Sequence, residues 1–320
     1  MTDEQVRFFR CLTCGDGGLR IEDGASRLTC VSCGASYPVV NGVVRFVDRE
    51  QYAGSFGFQW NVHRQTQLDS YTGLPLSRNR LFQVTRWPED LRGQTILEAG
   101  SGAGRFTEVL VSTGAQVLSF DLSTAVDANR ANNGGNRNLI IFQADMTDIP
   151  VRPLSVDKVI CLGVLQHTPD PAAAFRHLTE ALRPGGELVV DVYAARLRSV
   201  ISWKYLLRPL TRRANKERLH QIVAAATPPL VPLSAWLYRV AGRAGTRLLP
   251  ILQYEHLGLP AALNREWAIL DTYDMYAPTH DHPQRLNTVR RWFTESGFVD
   301  VIVEYGPNGI IARGRRPPAI

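Results

Sequence analysis

The sequence predicts an α/β fold: a doubly wound, mainly parallel sheet with helices on both faces, and a small cysteine-rich domain ahead of it. Three observations carry this. Segments of strand and helix character alternate from Thr95 to Tyr193. A glycine-rich turn, "EAGSGAGRF", follows the first of those strands. Four of the five cysteines stand as two C-x-x-C pairs in the first fifty residues. A chain of 320 residues fits one large domain plus an appendage.

Hydrophobic residues make up 44% of the chain and charged residues 21%, as in an ordinary soluble globular protein. The N-terminal "MTDEQVRFFR" begins with acids and has no apolar core, so it does not read as a signal peptide. The nearest approach to a membrane span, Gln221 to Tyr238, contains Pro228, Pro229 and Pro232, which are expected to break it. The expected location is the cytoplasm. The net charge is +6, and eleven Lys/Arg against the single acid Glu217 lie between Ala195 and Pro250. Such a block faces an anionic partner or is a solvated helical face.

In the first fifty residues Cys11, Cys14, Cys30 and Cys33 have the spacing of a four-thiolate zinc ribbon. Each C-x-x-C makes a knuckle that turns two sulfurs toward one point, and Gly15 and Gly34 follow the knuckles where the turn needs positive φ. "GLRIED" and "SRLTC" read as a short hairpin. Redox pairs or disulfides are the rival reading, disfavoured by a reducing compartment and by the doubled spacing. With all four positions filled by protein the metal is structural, and so small a domain needs it. Tyr37-Pro38-Val39 and Asn41-Gly42-Val43 follow the second knuckle. With the cysteines they resemble, over about residues 8–48, the zinc-ribbon domain related to the small activator subunit of tRNA, rRNA and protein methyltransferases.

In the central part, "TILEAG" reads as a buried strand and Arg105–Ser112 as a helix with Phe106, Val109 and Leu110 on one face. "QVLSFD" is the next strand, and Ser123 is the expected N-cap of the next helix. "NLIIFQAD" and "VDKVICLGV" are further strands. Asp170-Pro171 starts a helix with Phe175, Leu178 and Leu182 on one face, ended by "RPGG", and "ELVVDVY" is the fifth strand. Asn287 is expected to cap a helix bearing Val289, Trp292 and Phe293, closed by Gly297; "VDVIVE" and "GIIARG" then form a hairpin. In such sheets ligands bind at the carboxyl ends of the strands.

The glycine loop lacks the Lys-Ser/Thr of a phosphate loop and the third glycine of a nicotinamide fingerprint. Glu98 beside it fits a pyrophosphate poorly and suits a ligand carrying an amine or sulfonium. Glu98-x-Gly100-x-Gly102-x-Gly104 resembles the first motif of class I S-adenosylmethionine-dependent methyltransferases, over roughly residues 94–193 and again 286–313. The resemblance implies a Rossmann-like sheet and S-adenosylmethionine as cofactor. It places Ser101 and Arg105 in the cofactor loop and makes Asp121, beside Leu122, the acid that binds the ribose hydroxyls. Asp145 would read the adenine amino group with Met146 beside it, and Leu162 and Gly163 of "CLGVLQHTPD" would form the wall near the methyl group. Cys161 reads as a packed strand residue.

The implied division is a zinc ribbon over residues 1–50, an aromatic linker covering the cofactor pocket over 51–93, the methyltransferase domain over 94–194 and 269–320, and a helical lid over 195–268. In the linker Phe58, Gln59, Trp60 and Arg64 are candidates either to touch ligand or to dock the ribbon. His167, after the fourth strand, is a candidate base or a polar rim residue. Asp274, Tyr276, His280 and His282 lie in what reads as a loop. A "Tyr-x-Pro…His" segment precedes this helix in many zinc-ribbon fusion methyltransferases, and Pro278 and His282 fit it, which makes Tyr276, His280 and His282 further catalytic candidates. A metal site at His280-x-His282 with Asp281 has too few ligands to stand alone. The basic amphipathic lid implies an anionic, carrier-linked or lipid-linked acceptor, or peripheral contact with a membrane. The leading expectation is O-methylation in glycan or secondary-metabolite assembly. An RNA base methyltransferase is the alternative, disfavoured by the few basic residues of the ribbon and the lack of an "NPPY" tetrad. A non-methylating S-adenosylmethionine-binding protein or cyclase is the third reading.

Overall fold

The computed structural model describes residues 1–15, 18–48, 51–195 and 202–319. Four short strands come first: β1 (Leu19–Glu22), β2 (Arg27–Cys30), β3 (Ser36–Val40) and β4 (Val43–Arg45). Five strands of the α/β unit follow, β5 (Thr95–Ala99), β6 (Gln116–Asp121), β7 (Leu139–Gln143), β8 (Val156–Leu162) and β9 (Leu182–Val192). The closing hairpin is β10 (Val299–Gly306) and β11 (Gly309–Arg315). All join one sheet in the order β1-β2-β3-β4-β7-β6-β5-β8-β9-β11-β10. The run β7-β6-β5-β8-β9 is parallel, and β11 is antiparallel to both its neighbours. The expected α/β sheet is borne out.

Side chains of the central strands alternate between two cores, because successive residues of a strand point to opposite faces. Leu97, Leu118, Ile140 and Val159 face the helices Pro171–Glu180 and Leu286–Glu295 through Phe175, Leu178, Val289 and Phe293. Ile96, Val117, Ile141 and Ile160 face the helices Leu76–Thr85, Arg105–Ser112 and Ala125–Asn133 through Leu81, Val84, Phe106, Leu110 and Val126. Helices therefore cover both faces.

Local details differ from the expectations at three points. The helix after β6 begins at Ala125 with Thr124 in the cap position; Ser123 instead ties Asp121 to the Ala125 N–H, which it accepts at 3.2 Å. The helix capped by Asp170 ends at Glu180, and Leu182 pairs with Val156 as the first residue of β9, drawn into the buried sheet edge. Arg285, with extended backbone, holds the cap position expected of Asn287, because the chain before it is pinned to the end of β9 by Gln284 N–H to the Tyr193 carbonyl, 2.8 Å.

The ribbon is not a bead on a string. Asn41 and Gly42, with φ of 53° and 77°, make the two-residue turn that returns β4 alongside β3. β4 then pairs in parallel with β7, Val44 opposite Phe142. Phe9 packs on Phe46 and Phe142 at ring-centre distances of 5.2 and 5.1 Å, and Phe142 stacks on Phe120 at 5.2 Å. Arg45 reaches Asp127 at 2.5 Å and Gln143 at 3.1 Å. The small domain thus borrows the core of the large one, and its stability does not rest on the cysteine cluster alone.

The insertion supplies the helices Trp203–Thr211 and Lys216–Thr246; residues 196–201 lie outside the described part. Helical structure continues past Pro228, Pro229 and Pro232 and is interrupted only at Gly242 (φ 58°, ψ −145°). A third helix, Ala261–Tyr276, crosses the expected boundary at residue 268 and carries Asp274 and Tyr276, which are therefore not in a loop. No helix among the described residues is long and apolar enough to cross a membrane. Leu219 and Val223 pack against Tyr273 and Tyr276. Lys204 and Arg208 meet the buried Asp281 carboxylate at 2.9 and 3.0 Å. His63, at the end of the helix Gly54–Val62, meets His220 with the two Nε2 atoms 2.9 Å apart.

Two outcomes follow from this packing. Phe142→Ala is expected to cost about 3–5 kcal/mol, and denaturation followed by fluorescence and by metal release should still show one transition for ribbon and domain. Burial and the facing His220 hold His63 down at about 4. The unfolded chain, with a histidine pKa near ~6.5, binds the proton first, so this pair stabilises the fold above that pH and the stability is lost as pH falls toward about 4. Melting temperature measured across this window should fall less steeply for His63→Gln.

Candidate functional site

The loop after β5 is shaped by its own glycines and by what lies behind them. Gly100, Gly102 and Gly104 all have positive φ, at 74°, 53° and 88°. A Cβ on Gly104 would lie 2.2 Å from Asn129 Oδ1, and one on Gly100 would lie 2.4 Å from Val164. Gly104 thus faces the protein. Behind the loop, Glu98 is fully buried, and its Oε2 accepts from Thr107 at 2.5 Å and Ser119 at 2.8 Å. Burial raises its pKa to about 7 although those two hydroxyls act the other way.

In front of the loop is a cavity of about 1050 Å³. Its floor is the carboxyl end of the sheet: Gly100, Ser101, Gly102, Asp121, Leu122, Met146, Leu162 and Gly163 all line it. Ser101 Oγ is buried without a protein partner, and so offers itself to a ligand. Asp121 accepts from the Gly102 N–H at 3.0 Å and from the Ser123 N–H at 2.8 Å, which fixes its carboxylate at the loop. Small backbone, one free hydroxyl, one oriented carboxylate and an apolar wall fit a nucleoside-bearing methionine derivative. Asp145 is half-buried and does not line the cavity; its carboxylate accepts from the Thr147 N–H and hydroxyl, both at 2.8 Å. Glu98 and Gly104 do not line it either.

The linker forms one wall. Trp60 lies against the loop, its indole Nε1 3.0 Å from where a Gly102 Cβ would be, and Tyr52, Phe56 and Arg64 continue the lining. Phe58 and Gln59 point elsewhere: Phe58 packs on His220 and Tyr273, and Gln59 donates to Asp274 at 3.4 Å. Arg105 is a tie between layers, donating to Gln67 at 2.6 Å and Ser77 at 3.1 Å. Burial and the nearby Arg80 bring its pKa down to about 10.

Of the catalytic candidates only His167 lines the cavity. It is buried between Phe56 and Tyr193, at ring-centre distances of 5.1 and 5.4 Å. Its Nδ1 lies 3.0 Å from the His280 carbonyl oxygen. A carbonyl only accepts, so Nδ1 carries the proton and Nε2 is the basic nitrogen. Burial lowers its pKa, against the opposing pull of Asp274, so the ring is neutral near pH 7. His280 packs on Tyr52 and His282, and His282 is exposed. Tyr276 is buried with its hydroxyl donating to the Pro250 carbonyl at 2.8 Å, a strut rather than a reactive group. Asp281 is engaged by Lys204 and Arg208, so His280, Asp281 and His282 do not form a metal site. Cys161 is fully buried and burial raises its thiol pKa, in keeping with a packing role.

Sequence reasoning missed the polar far wall. Asp271 lines the cavity, with Tyr254 donating to it and Gln67 donating at 3.2 Å; burial pushes its pKa up to about 6. Tyr193, Arg80 and Lys204 also line it, beside Asp274, which the sequence had singled out, and Arg80 pairs with Asp191 at 2.7 Å. The spacing of Asp271 and Asp274 on one helix was the available signal. Arg80 and Lys204 in this lining are committed to protein carboxylates and the cavity carries carboxylates of its own, while of the insertion's cations Lys204 and Arg247 reach it.

The sulfurs of Cys11, Cys14, Cys30 and Cys33 all lie within 4.8 Å of one another, and they are the only such cluster among the described residues. Burial raises the Cys11 pKa, but hydrogen bonds from the Tyr37 hydroxyl and the Cys14 and Thr13 backbone outweigh it and bring it to about 6. The set fits a metal ion held tetrahedrally by four thiolates.

Residues 97–190 match the family model described as "Methyltransferase domain". The chain is 33% identical over 127 residues to a ubiquinone biosynthesis O-methyltransferase of Idiomarina loihiensis, covering 39% of this chain and 51% of that protein. A protein of the same name from Xylella fastidiosa is 29% identical over 211 residues, covering 63% and 80%. The chain spans 51% of the length of the Idiomarina loihiensis relative and 60% of that of another protein of this name, from a second Xylella fastidiosa strain. A solved complex of the Haloferax volcanii Trm112 methyltransferase activator with a putative methyltransferase is 14% identical, with a TM-score of 0.46, over 83% of this chain and 99% of that one. The matched segment contains the glycine loop, Asp121 and the strand leading to His167, and residues 97–190 carry a methyltransferase domain by this match.

Proposed function

We propose that this protein transfers the methyl group of S-adenosylmethionine to a hydroxyl of a small or carrier-linked acceptor, and that the ribbon holds a structural zinc ion. The observation that carries the O-methylation reading is His167: a buried neutral imidazole whose basic Nε2 is defined by the Nδ1 contact to His280, in the cavity that the cofactor loop opens into. The relatives named as O-methyltransferases support the same class of reaction.

The cofactor supplies an electrophilic methyl on a sulfonium. The chain's own residues do the rest. Gly100, Ser101, Gly102 and Asp121 would hold and orient the donor, on a floor that Met146, Leu122 and Leu162 also line. Trp60 and the lid helices exclude water. His167 Nε2 takes the acceptor's hydroxyl proton as the oxygen attacks, and alignment of the two reactants provides much of the acceleration. Tyr193 and the Asp271–Tyr254 pair lie where an acceptor's polar groups are read. The enclosing lid favours a small acceptor over a base within folded RNA.

His167→Ala is expected to lower kcat by roughly 10²–10⁴ with the cofactor Kd unchanged by calorimetry, whereas Asp121→Ala weakens cofactor binding itself. Because burial depresses the His167 pKa, kcat/KM should persist below the ordinary histidine range before falling with acid. The overall reading is tested by incubating the protein with labelled S-adenosylmethionine, phenolic and sugar hydroxyl acceptors, and RNA. Methyl ether formation supports it; methylation of RNA, or cofactor turnover without methylated product, overturns it. Metal analysis should find about one zinc per chain, and Cys11→Ser should reduce that content and lower the melting temperature.

A further inference from the structure

Seventeen large apolar side chains are notably exposed among the described residues, and nine of them fall on the insertion: Trp203, Leu206, Leu210, Ile222, Leu233, Trp236, Val240, Leu248 and Leu252. Their spacing is ordered. Along the helix Lys216–Thr246, Ile222, Ala226, Pro229, Leu233, Trp236 and Val240 are all exposed at intervals of four and three residues, which puts them on one stripe. Ile222 and Val240 are 64% and 67% exposed, so this is an uncovered face and not a seam. The eighteen residue-to-residue rises from Ile222 to Val240 make it ~27 Å long. At its start, Arg212, Arg213, Lys216 and Arg218 are exposed on and beside the turn between the two lid helices, and none has an ion-pair partner among the described residues. Arg218 stands one turn before Ile222 on the same stripe.

We infer that this face docks on an anionic lipid bilayer, with the stripe seated in the headgroup–acyl boundary and the arginine cluster on the lipid phosphates. An amphipathic helix with Trp, Leu and Ile on one face and Lys/Arg at its border has the physical form of an interfacial helix. Charge decides between occupants. Glu217 is the single acid between Ala195 and Pro250, so a second copy brings the same positive cluster to the contact with no acid to meet it. Pro229 and Pro232 also disturb the regular surface that helix pairing needs. A nucleic acid would leave the apolar stripe between its phosphates without a partner. Apolar side chains of the insertion also reach the cavity: Trp203 and Leu252 are each more than a third exposed and line it, and the Trp203 indole donates to the Leu248 carbonyl at 3.2 Å. A docked lid therefore sets the cavity mouth at the membrane surface, where an acceptor with an apolar tail enters without crossing water.

The test reads lipid binding alone, so it stands or falls separately from methyl transfer. The full chain is sedimented with phosphatidylcholine vesicles, with and without phosphatidylglycerol, at low and high salt. Binding is expected only with phosphatidylglycerol and is expected to weaken with salt. Arg212→Ala/Arg213→Ala/Arg218→Ala should weaken it on the order of a hundredfold, and Leu233→Ser/Trp236→Ser at least roughly tenfold. Both variants should keep the wild-type melting temperature because the side chains are exposed. The inference is overturned if anionic vesicles do not bind the protein, or if both variants bind as well as wild type. It is also overturned if vesicles fail and Leu233→Ser/Trp236→Ser abolishes a concentration-dependent dimer, or if RNA displaces the protein from vesicles and binds both variants unchanged.

Discussion

The site depends on one buried carboxylate. Glu98 sits under the cofactor loop, where Thr107 and Ser119 donate to it. Asn129 in turn donates to the oxygens of both, each at 3.0 Å, and Asn133 donates to Asn129 at 2.9 Å and to the Gly104 carbonyl at 3.0 Å. This network joins β5, the following helix, β6 and the helix after it in one polar layer inside an apolar core. Breaking any of these bonds would leave a further buried polar atom unpaired, beside Glu98 Oε1, which has no partner among the described residues, so the four elements are held in one relative position. The loop is stretched over that layer, and the 2.2 Å approach at Gly104 is the reason its last glycine admits no side chain. Asp121, fastened to the Gly102 N–H, inherits its position from the same arrangement.

The ribbon depends on this core in its own way. Its cysteine knuckles close one end, but β4 completes the sheet beside β7, and Phe9, Phe46 and Phe142 make the two domains share apolar contacts. A metal ion at the knuckles therefore acts on a unit already braced from behind. The Tyr37 hydroxyl connects the two supports: it accepts the Leu12 N–H at 2.9 Å, lies 3.2 Å from Cys11 Sγ, and its ring packs on Phe46 at 4.8 Å.

Much of the sheet was legible in the sequence because strand and helix periodicities there are strong and turn residues mark their ends. β6 and the helix Arg105–Ser112 fall at the expected residues. The place of the cavity floor was legible for the same reason, since the loop after the first strand of such a sheet has a fixed place. The far wall was not. Asp271, Tyr254 and Tyr193 come from three distant segments, and only the fold of the insertion brings them to one cavity. The histidines show the limit of local reading: His280 contributes its backbone carbonyl to His167, a role its side chain does not announce, while His282 is turned to solvent. Tyr276 reads like an acid or base in sequence and is a strut because helical structure continues through it. Glu98 was legible as important to the loop, yet it works from beneath and not from the cavity.

The insertion resolves an electrostatic puzzle set by composition. Eleven cations and one anion in one segment would produce a strongly positive cavity if they pointed inward. Instead Lys204 and Arg208 are consumed by Asp281, fixing the lid to the segment that also positions His167, and the arginines near the helix turn remain outside with the exposed apolar stripe. Inside, Asp121, Asp271 and Asp274 face Arg64, Arg80, Arg105, Lys204 and Arg247, so the cavity lining is mixed in charge. Separating the charges this way lets one segment meet two different surroundings. Its inner side closes a site of mixed polarity, and its outer side keeps unneutralised positive charge beside exposed apolar side chains.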